Sequence, residues 1–312
     1  MFAVLFERFG PPEVLTLGTA PEPHPGPHQV RITVKAAAVS PADIALREAS
    51  TPASKRLALP HIPGVDAAGV IDEIGAEVSE YAVGDEVFGA VDVARLGGAS
   101  AQYAVLDFWT HKPHGMTWAE AGAAGTGIET ATRALDLLDV QDGATLLVDG
   151  AAGGVGSIAV QLAVARGARV IGTARPESHQ FLRELGVEPV DYGRGLPARI
   201  RALTAAPVDR ALDVAGAGSL SELIELAGTA DSVVTLADFG ASTYGVRLST
   251  GRFGGEPDGV HGLTSATALA DRGLFRVPVR DTYPAHHAAQ AHETAARPPR
   301  RGKIVLDMTH TG

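Results

Sequence analysis

The sequence predicts an α/β protein in which a doubly wound parallel sheet is joined to a β-rich domain assembled from both ends of the chain. Three observations lead there. Residues 29 to 91 read as short strands separated by glycines, with QVRITVKAAAV (29–39) alternating at a period of two, and AAGVIDEIG (67–75) and DEVFGAV (85–91) of similar texture. Near residue 118 the texture changes, and from there strands and helices alternate, the pattern of right-handed βαβ crossovers. A last apolar run, GKIVLDM (302–308), has the length and composition of a strand and needs partners, which the first domain's antiparallel sheet can supply. The expected division is 1–118 with 264–312 for the β-rich domain and 119–263 for the parallel sheet.

A chain of 312 residues suits two domains of ordinary size. Its 45% hydrophobic and 20% charged composition is that of a globular protein, and no run approaches the roughly 20 apolar residues that span a bilayer. Glu7 and Arg8 interrupt the apolar start where a secretory signal would continue, so the expectation is no export and a cytoplasmic protein. A net charge of −10 argues against a nucleic-acid partner. With no cysteine, disulfides, thiolate nucleophiles and sulfur-ligated zinc are excluded.

Element by element, TWAEAGAAGTGIETATRALDLL (117–138) is helical in period. Strand TLLVDG (145–150), a helix over about 155–166, strand ARVIGTA (168–174) and helix ESHQFLRELG (177–186) follow. Then come strand PVDY (189–192), a helix near 196–204, strand VDRALDVAG (208–216), helix SLSELIELAG (219–228) and strand DSVVTLAD (231–238). The tail adds helix TSATALADRG (264–273), a polar connector, the helix-like PAHHAAQAHETAA (284–296) and the closing strand.

The turn GAAGGVG between the first strand and helix of the alternating region carries the chemistry. Ala151, Gly153 and Gly156 have the spacing small-x-Gly-x-x-Gly, which makes the tight turn, admits a diphosphate to bare backbone and lets helix and strand pack closely. Gly154 and Val155 lie within that turn, where the helix presents unpaired N–H groups and a positive dipole end. At the end of the second strand, where an acid would grip a ribose 2′-hydroxyl, stands Arg175, which favours NADPH over NADH. Glu177 is the competing reading, and a solvated surface arginine is the plain one.

Taken together, LLVDGAAGGVG before QLA, IPGVDAAGVIDEIG and AVGDEVFG upstream, and RGKIVLDM at the end resemble the zinc-free quinone oxidoreductase branch of the medium-chain dehydrogenase/reductase superfamily, over essentially the whole chain. The resemblance implies a Rossmann domain and a discontinuous GroES-like domain. It also implies a homodimer, with YGVRLST (244–250) as a sixth strand at the dimer axis, and NADPH-dependent reduction of quinones or α,β-unsaturated carbonyls in an interdomain cleft. Where zinc-using members carry a Cys and a Gly-His-Glu motif, this chain has Ser40 and Gly64-Val65-Asp66, and Val65 cannot ligate a metal. No metal site is therefore expected.

Ser40 stands where many relatives have Asn, and can orient a carboxamide or a substrate carbonyl. Thr126 is either a donor to the diphosphate or nicotinamide ribose or a helix cap. Tyr192 matches a family tyrosine near the 2′-phosphate or adenosine, or is a half-buried surface residue. Asp43 and Asp66 read as loop-fixing groups more than as acids or bases. The stretches DVAGAG (213–218) and LADFG (236–240), with Ala215, Leu236 and Ala237, follow the fourth and fifth strands and are expected to meet adenine and nicotinamide through their backbone. Phe253 and His261, in a glycine-rich loop, are either pocket-lining or surface residues. Two further readings stay open: a biosynthetic enoyl or ketone reductase of the same fold, and a non-catalytic NADPH-binding sensor.

Overall fold

The computed structural model describes residues 1–297 and 301–309. They form two compact units, residues 1–126 with 263–312 and residues 127–262.

In the first unit, β1 (Phe2–Leu5) and β2 (Thr16–Thr19) pair antiparallel. β3 (Val30–Val39), β4 (Asp66–Ile74), β5 (Glu86–Val91) and β6 (Tyr103–His111) are successive antiparallel neighbours, and β6 returns to pair with β3, so the four strands close on themselves. β3 alternates buried and half-buried residues over its first half, as its sequence period requires, then is buried on both faces from Ala37 to Val39. α1 (Pro41–Arg47) starts directly after β3, and a short α2 (Trp118–Ala121) follows β6.

The second unit holds the alternating region. α3 (Gly125–Leu137) leads into β7 (Thr145–Asp149), α4 (Gly156–Ala165), β8 (Arg169–Ala174), α5 (His179–Glu184), β9 (Glu188–Asp191) and α6 (Leu196–Leu203). β10 (Arg210–Asp213), α7 (Leu220–Ala227), β11 (Val233–Thr235) and β12 (Arg247–Leu248) complete it. The sheet is parallel throughout, in the order β12-β11-β10-β7-β8-β9. That is the doubly wound order, with strand order reversing between β7 and β10. Every residue of β7 is buried, the signature of a parallel strand covered by helices on both faces. α4 is buried from Gly156 to Ala163, as an all-round apolar helix must be.

The chain then returns to the first unit through α8 (Gly262–Asp271), β13 (Val279–Pro284), α9 (Ala288–Ala296) and β14 (Lys303–Asp307). β14 lies between β13, to which it is parallel, and β3, to which it is antiparallel. β13 falls where the sequence suggested only a connector. Its residues are half-buried or exposed, so no apolar run marks it, and β14 supplies its pairing. β10 and β11 are shorter than their sequence spans, four and three residues long.

Candidate functional site

The glycine turn sits at the carboxyl end of β7, next to the point where strand order reverses. Gly150 has φ +87°, a conformation that disfavours any side chain, and a Cβ on Gly156 would stand 2.2 Å from the Gly150 carbonyl oxygen. The chain can therefore fold back this tightly only with glycine at both places. Ala152, Gly153, Gly154 and Val155 are half-buried, while Ala151 is fully buried with its N–H donated to Thr173. α4 begins at Gly156 with Val155 in the cap position, and no side chain caps it. An uncapped N-terminus with glycines before it leaves backbone donors and the positive dipole end for an anion. These residues fit a dinucleotide's diphosphate.

Next along the edge, Ala174 of β8 is in register with Asp191 of β9, so Arg175 and Tyr192 leave adjacent strand ends side by side. Both are about half exposed. Glu177, the acid of the alternative reading, lies in the short turn 176–178 with an oxygen 3.9 Å from Arg175, too long for a hydrogen bond and well solvated. Sequence reasoning missed Arg199, which shapes this corner. From α6 its guanidinium donates to three backbone carbonyls, of Asp191 (3.0 Å), Gly193 (2.6 Å) and Arg194 (2.8 Å), and so fixes the turn that carries Tyr192.

On the other side of β7 the edge is organised by two buried acids that sequence reasoning missed. Asp149 accepts hydrogen bonds from the hydroxyls of Thr173 and Ser219. Asp213, in register with Asp149 on β10, accepts from the N–H groups of Ala215 (3.0 Å) and Gly216 (2.8 Å) and from the Thr235 hydroxyl (2.8 Å). Burial pushes the Asp213 carboxyl above the usual carboxylate range, against the pull of those donors, and the neighbouring Asp149 charge adds to the rise. The signal in the sequence was a polar residue closing an apolar run: LLVD, RALD, VVT. Ala215 is exposed, and Leu236 and Ala237 are half-buried. Their N–H groups are spent internally, on the Asp213 side chain, the Asp213 carbonyl and the Thr235 hydroxyl respectively.

The loop after β12 folds onto α3 within the second unit. Arg133 joins Glu129 (2.9 Å), Glu256 (3.5 Å) and the Ser249 hydroxyl, while Glu256 also accepts from Gly251 N–H. Phe253 is half exposed, and His261 lies at the surface against Asp136.

In the first unit, Ser40 caps α1. Its hydroxyl donates to Asp43 at 2.6 Å, and Asp43 accepts in addition from Ser40 N–H (2.7 Å) and Gly64 N–H (3.0 Å). Burial raises the Asp43 carboxyl, with these hydrogen bonds opposing. Thr126, in the first turn of α3, gives its N–H (2.6 Å) and hydroxyl (2.7 Å) to the fully buried Asp66, which also has Lys303 Nζ at 3.6 Å. The Thr126 side chain is thus held by an acid rather than capping the helix. Asp43 and Asp66 both tie backbone in place. His292 is buried in the core of this unit, where desolvation and the nearby Arg47 hold its imidazole down to about 3.

The alcohol dehydrogenase GroES-like domain family matches residues 26–120, and the zinc-binding dehydrogenase family matches residues 154–248. A solved structure of an alcohol dehydrogenase superfamily protein from Novosphingobium aromaticivorans is 30% identical, superposes with a TM-score of 0.86, and covers 99% of both chains. The quinone oxidoreductase of Pongo abelii is 39% identical over 184 residues, 58% of this chain and 54% of that one. The chain belongs to the medium-chain dehydrogenase/reductase superfamily, with the quinone oxidoreductases. In the leading alignments it spans about half the length of the curated relatives it matches. It is also 32% identical over 311 residues, 93% of its length, to a portion amounting to 8% of the pikromycin polyketide synthase component PikAII of Streptomyces venezuelae.

Members of this superfamily bind a nicotinamide dinucleotide. Ser40 and Asp66 both serve here as hydrogen-bonding braces. Among the described residues, no three His, Cys, Asp or Glu side chains gather as a metal site, and no helix is long and apolar enough to cross a membrane.

Proposed function

We propose that this protein is an NADPH-dependent reductase of quinones or α,β-unsaturated carbonyls that works without a metal. The observation that carries the reading is the carboxyl edge of the parallel sheet, where an uncapped helix N-terminus adjoins the exposed pair Arg175 and Tyr192. On this reading Ala151 to Gly156 take the diphosphate, Arg175 and Tyr192 take the 2′-phosphate and adenosine, and Ala215, Leu236 and Ala237 flank the nicotinamide half. Residues 119–263 then serve as the cofactor domain, and 1–118 with 264–312 as the substrate domain. Thr126 supports the site indirectly, through Asp66.

Bound NADPH supplies a hydride to the far carbon of a conjugated electrophile, the negative charge moves to oxygen, and a proton completes the reduction. The Ser40 proton is committed to Asp43, so Ser40 orients through its remaining lone pair and the proton comes from solvent. Ile44, Ala45 and Leu46 follow Asp43 with no acid among them, which fits an apolar pocket wall. Val65 and the lack of cysteine support the metal-free chemistry. We further propose a homodimer acting in the cytoplasm on small molecules.

A second reading is favoured by the PikAII match, which runs along nearly the whole chain: an enoyl or ketone reductase serving a biosynthetic pathway, with the same cofactor edge. The experiment is to follow NADPH absorbance on adding a small quinone, a simple enone and an enoyl thioester. Preference for the thioester supports the second reading, and tight NADPH binding with no electrophile reduced leaves the sensor. Chelator-sensitive turnover would overturn the metal-free mechanism.

A further inference from the structure

Along the sheet's carboxyl edge, the two sides of Gly150 differ in what their backbone offers. On the α4 side no side chain caps the helix N-terminus. On the β10–β11 side the donors have been consumed one by one. Ala215 and Gly216 N–H go to Asp213 Oδ1, Leu236 N–H goes to the Asp213 carbonyl (2.8 Å), and Ala237 and Asp238 N–H go to the Thr235 hydroxyl oxygen (3.1 and 3.0 Å). Thr235 passes its own proton to Asp213 Oδ2. Four of these five donors are thus turned inward by two side chains, both fully buried, and the fifth by the Asp213 carbonyl. A hydroxyl that accepts two N–H bonds and donates its single proton has no further capacity, and neither do the five amides. What the backbone of residues 215–216 and 236–238 can still present to a ligand is carbonyl oxygen.

We propose that Asp213 and Thr235 are positioning residues that make residues 215–216 and 236–238, at the ends of β10 and β11, an acceptor-only ledge, selective for ligand groups that donate hydrogen bonds, of the amide or sugar-hydroxyl class. This rests on the nucleotide-binding reading above and adds to it a physical reason for cofactor orientation: anionic phosphates are drawn to the donor side of the turn and turned away from the acceptor side. The ledge needs both residues. Replacing Asp213 by Asn sets an NH2 group against the Thr235 hydroxyl, which must then turn its proton toward the amides it now holds. Replacing Thr235 by Val releases the Ala237 and Asp238 N–H groups.

The test compares calorimetric binding of NADPH with that of the reduced 3-acetylpyridine analogue, whose ring substituent accepts but cannot donate, and uses ADP, which lacks the nicotinamide half, as reference. The wild-type protein is expected to bind NADPH about tenfold more tightly than the analogue, the worth of one or two good hydrogen bonds. Thr235→Val and Asp213→Asn should shrink that ratio toward one while ADP affinity stays within about twofold, and Thr235→Ser should restore it. Equal binding of NADPH and the analogue by wild-type protein overturns the proposal with no variant needed. A ratio that survives in Thr235→Val, with ADP affinity intact, overturns it too. If the wild type binds neither dinucleotide, it is the nucleotide-binding reading itself that falls.

Discussion

Asp66 in the first unit and Asp213 in the second are built alike and differ in one respect. Each is fully buried, each accepts from backbone N–H, and each takes a threonine hydroxyl. Asp66 has Lys303 beside it, whereas the nearest ionisable neighbour of Asp213 along the sheet is another acid, Asp149. A buried charge with a counter-charge acts as a brace whose loss strands its partner. A buried acid kept in place by donors alone holds those donors against a standing desolvation cost, and this is reflected in the raised Asp213 carboxyl. The first arrangement secures a fold, and the second dictates what a surface can offer.

The largest effect is expected of Asp66→Ala, which leaves the Lys303 ammonium and the Thr126 donors buried without their acceptor. It should cost about 3 to 5 kcal/mol in urea unfolding, and a loss below about 1 kcal/mol would show that the Lys303 contact is idle. A smaller effect comes from His292, neutral in the fold and protonated in the unfolded chain below about 6.5. Its contribution is complete above that pH and is lost as pH falls toward 3, so stability should drop by roughly 2 kcal/mol between pH 6.5 and 5. His292→Gln should flatten that slope, and an unchanged slope would refute the assignment.

Arg175, exposed where the others are buried, should matter only to a ligand. Arg175→Asp is expected to weaken NADPH by about tenfold or more and NADH little, at unchanged melting temperature. Equal losses would dismiss the 2′-phosphate role. The mildest test concerns Asp213 itself. Because its folded carboxyl is raised, the native state holds a proton that the unfolded chain has already released, and stability should decline as pH rises from the usual carboxylate range through the raised value. Melting temperatures of wild type and Asp213→Asn across that window should converge at its acid end, and parallel curves would contradict it.

Much of the second unit was legible because its physics is local. Apolar runs of strand length, closed by glycine and followed by a 3.6-residue period, place β7, α4 and β8 within a residue or two. The turn residues Ala151 to Gly156 could be read for the same reason, since the spacing is the geometry. What the sequence hid was held together at a distance. β13 is a strand because β14 pairs with it, and Arg199 reveals its purpose only once α6 packs beside the end of β9. Asp149 and Asp213, far apart in the chain, become register partners only in the sheet. Thr126 was assigned by its neighbours in sequence, while its partner Asp66 lies 60 residues away.

The position of β14 has a consequence for how the molecule comes into being. It is interior to its sheet, between β13 and β3, and it pairs Ile304 with Val39. During synthesis, residues 127–262 leave the ribosome as a complete unit while β3 still waits for the neighbour that is made after them. The parallel sheet is thus free to settle early, and the strand-rich unit must close a loop of some two hundred and sixty residues before its sheet is whole, a long-range step of the kind that slows folding and leaves an unsatisfied edge open to chaperones.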